Sequence, residues 1–447
     1  MSLALAPLPR RAAALVPVLP LVAVPALLAL PPTGDGAGPA DVVSGLAVAY
    51  CVVLLLRERR RPLSTAAVLV LGLPVVGIAL AAVGASSPEA GLAGMGRYLQ
   101  VFVLVPAAVL VLVRHRADFR VLAWSVVGLA LWQGAVGVHQ YVTRSGASYQ
   151  GEDIRAVGTF GAHDVMGMAS AVSLGLVCAV GIALGRAPVW HRATAAGCAL
   201  LLLAPLAVSF SRGAWIATAL TCAVQLALAG VRRALKVAAA LAAAGVILMG
   251  GLGVGTAQLQ ERIDSITQVT DSPDQSVIDR YSLWSSATGM WREHPLTGVG
   301  LKNFPAHRDT HATLALSSGS DIEGAGADFE RQALLSPHSM YLLVLSEQGL
   351  IGLVTLVGSW LALLVCAVRR LLRVRRLGPG LDCGLVACGL LVWLLTDFVY
   401  GDIGGPSTVL TAVGLGLAAW WALAGVERRD TVRRGGVPER VEEAVAR

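Results

Sequence analysis

Arg212 carries the sharpest chemical consequence in this chain. It stands in Ala207-Val-Ser209-Phe-Ser211-Arg212-Gly213-Ala-Trp215, between two apolar runs with almost no connection. No Asp or Glu occurs from Val165 to Gln260, so the sequence offers it no local counter-ion. An arginine at membrane depth costs about 2.5–3.5 kcal/mol on insertion scales. It either snorkels to an interface or meets an anion from elsewhere, and its planar fork suits a phosphate. Arg280 is the second cation of interest: either a solvated residue paired with Asp279 or lipid headgroups, or a second phosphate ligand. His338 follows Ser336-Pro337 and opens an apolar run. At a helix N-terminus the dipole disfavours the imidazolium, leaving the neutral ring that a general base needs. His163, His294, His307 and His311 have the same chemistry with less context.

These residues need elements to hold them, and composition says which. The chain has 447 residues, enough for two or three soluble domains, but 55% are hydrophobic and only 14% charged. An ordinary soluble domain is about 25% charged. Apolar runs of membrane-spanning length recur throughout, which predicts an all-α, polytopic integral membrane protein. The formal charge of +7 is no nucleic-acid signal, because the bases cluster between apolar runs, where they set topology. All seven cysteines lie inside apolar runs. That argues against a disulfide framework, and no spacing suggests a zinc site. Arg10, Arg11 and the apolar stretch after them read as a retained first span rather than a cleaved signal, given Pro17, Pro20 and Pro25.

Twelve spans are expected, at about 12–31, 41–56, 64–84, 96–113, 121–142, 164–185, 194–210, 213–230, 237–255, 339–368, 381–400 and 407–425. With both termini cytoplasmic, 25 of the 35 Lys and Arg fall inside. Residues 1–255 then form nine helices with short loops, 256–338 a long extracytoplasmic loop, 339–425 three more helices and 426–447 a cytoplasmic tail. The long loop holds six Lys or Arg against eleven Asp or Glu, a balance that fits translocation.

Within that loop, Val277, Tyr281, Trp284, Thr288 and Trp291 recur at helical spacing. Ser276 and Asp279 resemble a capping box, and Pro295 ends the pattern. The aromatic face predicts a helix lying flat on the outer membrane surface, with Arg280 at its edge. The Gly-, Ser- and Asp-rich stretch around 316–328 reads as mobile, and Gly298-Val-Gly300 reads as a turn.

Taken together, these segments resemble the O-antigen ligase and polymerase superfamily of membrane glycosyltransferases, most strongly over about 150–365. Ser209-Phe-Ser211-Arg212-Gly213 is similar to the family's Ser-Arg-Gly segment. Asp279-Arg280-Tyr-Ser-Leu-Trp284, with His294-Pro295-Leu-Thr-Gly298-Val-Gly300-Leu-Lys-Asn303-Phe304, is similar to its long-loop signature. Ser336-Pro-His338-Ser-Met-Tyr341, with Glu347-Gln-Gly349, is similar to its histidine motif. Arg155-Ala-Val-Gly158-Thr-Phe-Gly161-Ala-His163-Asp164 resembles a family segment that usually ends in asparagine. Ser339 likewise replaces the asparagine usual after the histidine.

The resemblance implies a GT-C-like fold of about 12 transmembrane helices in the plasma (inner) membrane, with its active site on the extracytoplasmic face. It implies a polyprenyl-diphosphate-linked glycan donor and a glycan, lipid or protein acceptor, with no cofactor and no metal. The missing Asp-x-Asp motif agrees. By the same resemblance Arg212 and Arg280 bind the diphosphate, His338 serves the acceptor hydroxyl, and Ser211 and Arg155 join the substrate contacts. Asp164 and Glu347 are the next candidates for the base. The competing class is a transporter or flippase for lipid-linked sugars. Twelve spans also describe a major-facilitator protein, but its long loop follows the sixth span on the cytoplasmic side, and a flippase would not need the histidine.

Overall fold

The computed structural model describes residues 16–31, 38–58, 63–149, 154–230, 275–377 and 380–424. The expected span at 237–255, the segment 256–274 and the tail at 426–447 lie outside the described residues. The helices are α1 (Leu19–Leu27), α2 (Pro39–Glu58), α3 (Thr65–Val83), α4 (Pro88–Leu112), α5 (Arg116–Thr143), α6 (Gly167–Ala183) and α7 (Val189–Val208). They continue with α8 (Arg212–Ala229), α9 (Gln275–Glu293), α10 (Phe304–His311), α11 (Met340–Leu377), α12 (Leu381–Asp397) and α13 (Thr408–Leu423).

Among the described residues seven helices are long and apolar enough to cross a membrane: α2, α3, α4, α5, α7, α8 and α11. The chain is a helical, polytopic membrane protein. The expected spans at 12–31, 164–185, 381–400 and 407–425 are shorter helices where described, and burial explains three of them. α6, α12 and α13 are buried on nearly every face. A helix that meets protein along most of its length need not match a hydrocarbon thickness. These three form the centre, and helices such as α2 and α7, mostly unburied, surround it.

Small residues let the central helices approach closely. A Cβ added to Gly175 would strike Ala130 at 2.1 Å, and one on Gly181 would meet Val386 at 2.8 Å. Buried Gln225 ties three helices by donating to the Val177 and Leu385 carbonyls, both at 3.0 Å. α4 carries a π turn at Gln100–Leu104, just before Pro106, whose missing N–H would break a regular ladder. α11 is interrupted at Gly349, at φ 64° and ψ −164°. There the chain after α9 crosses it: Leu350 and Ile351 donate to the carbonyls of Pro295 and Leu296, and any Cβ on Gly349 would lie 2.4 Å from Leu296.

The helical bundle carries one small addition that the sequence reading did not include. Three short strands, β1 (Ala147–Tyr149), β2 (Ser320–Gly324) and β3 (Ala327–Gln332), form an antiparallel sheet in the order β1-β2-β3. It joins two loops far apart in sequence, pairing Tyr149 with Ile322. A small core of Ala147, Tyr149, Val157, Ala162 and Ile322 seals it. The stretch expected to be mobile is therefore largely a hairpin. Its two-residue turn, Ala325-Gly326, has φ of 53° and 85°, the type I′ geometry that follows strand twist.

The long loop is also docked on the bundle. Gly298 and Gly300 form the expected turn, and Val299, Gly300 and Leu301 donate to the carbonyls of Ser346, Glu347 and Ala81. Asn303 accepts from the Ser86 amide at 3.0 Å and donates to the Gly84 carbonyl at 3.2 Å.

Candidate active site

The bundle has two chemically different ends. At one, basic residues gather: Arg114 reaches Glu58, Arg186 reaches the Arg375 carbonyl, and Arg120 pairs with Asp382. The other end collects the long loops, the sheet and the candidate residues. Its hub is the connection between α12 and α13, which runs Phe398-Val-Tyr400-Gly-Asp402 and on to Ser407.

Met340 donates its amide to both Phe398 and Gly401 carbonyls, at 2.9 and 2.8 Å, so the start of α11 is fixed to this connection. Ser339 donates to the Phe398 carbonyl at 3.5 Å. His338, two residues before the helix, sits in the left-handed region at φ 49°. Its pKa is lowered, and burial rather than the expected helix dipole is the main cause. The Asp402 charge opposes the shift and the Arg280 charge adds to it. The ring is thus held neutral between an acid and a guanidinium.

Arg280 comes from α9, donating from Nη1 to the Tyr400 carbonyl at 3.5 Å. The helix is where the sequence predicts, and its small-residue side packs on protein. Asp279, Ser282, Leu283, Ser286, Ala287 and Met290 pack inward, while Tyr281 is 61% exposed. α10 and α11 cover that side. The expected capping box is replaced: Asp279 accepts from the Ser317 amide at 2.8 Å and hydroxyl at 2.7 Å, leaving Arg280 to face the hub. Trp284 bonds the Pro337 carbonyl at 2.9 Å, clamping α9 to the histidine segment.

Arg212 is the first residue of α8, after a turn in which Phe210 has φ 50°. Ser211 caps the helix, its hydroxyl accepting from the Ala214 amide at 3.3 Å and lying 3.5 Å from the Met166 sulfur. This near-zero connection agrees with the sequence. It abuts the hub, since a Cβ on Gly213 would lie 3.5 Å from the Tyr400 Cβ. Arg212, Arg280 and His338 therefore surround one loop. Arg155 does not join them directly: its backbone pairs with Ala147 and its guanidinium lies 5.8 Å from the Tyr149 ring.

Asp164 accepts from the Ser407 amide at 3.1 Å. Burial raises its pKa against the hydrogen bonds from Ser407 and Gly167 and the Arg97 charge. Arg97 pairs with Asp41 and donates to the Gly405 carbonyl at 3.1 Å, bracing the same connection from α4. Glu347 is buried and accepts from the Phe304 amide at 3.2 Å, which makes it a fastener of the long loop.

Two residues escaped sequence reading, Asp397 and Asp402. The Asp402 charge acts on both His338 and Asp397, yet its Oδ2 is buried with no hydrogen-bond partner among the described residues. The signal was available: two acids five apart at the end of an apolar run, where an ionisable residue marks function by default.

Residues 196–357 match the family model described as O-antigen ligase, the superfamily that the motifs resemble. The matched stretch contains Arg212, Arg280 and His338. No curated protein matches the chain.

Proposed function

We propose that the protein is a membrane glycosyltransferase that moves a glycan from a polyprenyl diphosphate carrier to an acceptor hydroxyl at the outer face of the plasma membrane. One observation carries this reading: two guanidinium-bearing elements and a neutral imidazole converge on the 398–402 loop. The positive-inside bias supports the sidedness, because the basic loops gather at the end away from the site.

In the reaction, the acceptor oxygen attacks the anomeric carbon while its proton passes to the free imidazole nitrogen of His338. The bond between that carbon and the diphosphate oxygen breaks, and its electron pair leaves on the diphosphate. Arg212 and Arg280 neutralise that growing charge, stabilising the transition state more than the bound donor. Ser211 acts through its cap, which orients Arg212. Asp402 faces His338 and favours the imidazolium that forms, and Asp164 holds the far end of the same connection.

No step of this scheme draws on a cofactor or a metal ion. Purified protein given a polyprenyl-diphosphate glycan and a membrane acceptor fraction is expected to release one polyprenyl diphosphate per glycan transferred, without nucleotide sugar. Movement of intact donor across vesicles with no transfer would instead favour the flippase.

A further inference from the structure

A second concave site lies beside the hub. Between segment 158–163 and the β2–β3 hairpin runs an open groove of ≈ 440 Å³, within the size range of small-ligand sites. Its walls include Gly161, His163, Gly326, Asp328, Phe329 and Glu330. We propose that this groove binds the acceptor sugar chain and that its carboxylates select neutral or amino sugars over acidic ones. The proposal rests on the transferase reading and names the second substrate of that site.

The groove is preformed. Its two walls share the core of Ala147, Tyr149, Val157, Ala162 and Ile322, and the Tyr149 hydroxyl donates to the Ala162 carbonyl at 2.7 Å. Its chemistry matches a pyranose, which has an apolar C–H face and a rim of hydroxyls. Phe329 is 65% exposed and offers an aromatic face for the first. Asp328 and Glu330 accept hydrogen bonds from the second. Gly161 and Gly326 leave the backbone bare, since a Cβ on either would meet nothing within 4 Å. His163 and Glu330 approach across the groove at 3.8 Å, both about half exposed, so a ligand separates them at little cost. Among the described residues no group of three His, Cys, Asp or Glu side chains is placed to hold a metal ion, so the acids are not arranged as a metal site.

Position and charge complete the case. His163 leads directly into Asp164, which is bonded to Ser407 of the hub connection. A sugar chain in the groove thus lies next to the residue that anchors the α13 end of the connection whose other end His338 faces. The sign of the groove is opposite to that of the arginine side, so it repels the donor's diphosphate and keeps the two substrates in separate places.

Saturation-transfer NMR on the full chain in nanodiscs tests this with three probes: maltotriose, the glucosamine trimer and trigalacturonic acid. Saturation of maltotriose or the glucosamine trimer, but not of the acidic trimer, is expected. Phe329→Ala and Glu330→Gln should each weaken that binding by at least about 10-fold. They should raise the acceptor KM in the transfer reaction and leave donor affinity unchanged. No binding by any trimer, equal binding by all three, or variants that bind like wild type would overturn the groove. The two readings fail separately. Transfer with an unaltered acceptor KM in Phe329→Ala removes the groove alone. Trimer binding that depends on Phe329, in a protein that never consumes donor, removes the transferase alone.

Discussion

The two ends of the bundle hold their buried acids in different company. At the basic end, Asp382 is 3% exposed and fully engaged, receiving the Arg120 Nε at 2.5 Å and Nη2 at 3.1 Å. Asp118 there accepts from the Arg114 and His115 amides. At the other end, Asp397, Asp402, His338 and Arg280 crowd one connection, and an Asp402 oxygen is left without a partner among the described residues. Buried polar atoms are ordinarily satisfied, and an exception calls for an explanation. The difference teaches what each end is for. A closed pair holds helices together, whereas titratable groups of both signs gathered on one loop are where reacting groups are expected.

Substitutions at the two ends should therefore fail differently. His338→Ala has the largest expected effect on rate, a loss of about 10²–10⁴-fold in transfer, which is the usual value of general-base assistance. Steady-state transfer by the purified variant measures it, with solubility and melting temperature near wild type. Arg120→Ala should do the reverse. It leaves Asp382 buried without its cation, and the melting temperature should fall while turnover per folded molecule stays unchanged. Because Arg120 is 44% exposed, the cost should lie below the roughly 3–5 kcal/mol of a fully buried pair. Equal damage to rate from both variants would erase the distinction between the ends.

The pH profile sharpens the comparison further. A base must be neutral, and burial holds the His338 pKa below the ordinary value of about 6.5. Activity should persist as pH falls to that value and be lost only below it, as the ring protonates. The Asp402 charge raises the histidine pKa, so Asp402→Asn should move the acid limb to still lower pH. An acid limb that moves upward would mean that Asp402 is not facing the base. The smallest effect belongs to the hairpin. Ala325 pays for its left-handed φ of 53°, and Ala325→Asn should stabilise the sheet by up to about 1 kcal/mol, seen as slower amide exchange across β2 and β3.

Local patterns in the chain foretold what local physics controls. The apolar runs marked the helices, the Ser209 to Gly213 segment its tight turn, and the helical spacing after Val277 the α9 helix. What stayed hidden depended on partners remote in sequence. β1 has three residues and pairs across about 170 positions, with no alternation long enough to read. The face of α9 that packs on protein was not legible because Ser282, Ser286 and Ala287 carry no local sign that α10 and α11 cover them. Gly349 looks like any helical glycine until the Pro295 segment is laid across it. Asp402 is silent in a linear reading because its importance comes from facing His338, 64 positions earlier in the chain.

On the proposed function, labour is divided at one loop, with arginine holding the diphosphate and histidine serving the acceptor. Equilibrium binding of a fluorescent polyprenyl-diphosphate glycan to the purified full chain tests it most directly. Arg280→Lys keeps the charge but loses the fork, and should weaken donor binding by about 10-fold or more. His338→Ala should bind the same donor as tightly as wild type. Loss of donor binding in His338→Ala equal to that in Arg280→Lys, or wild-type binding by Arg280→Lys, would contradict that division.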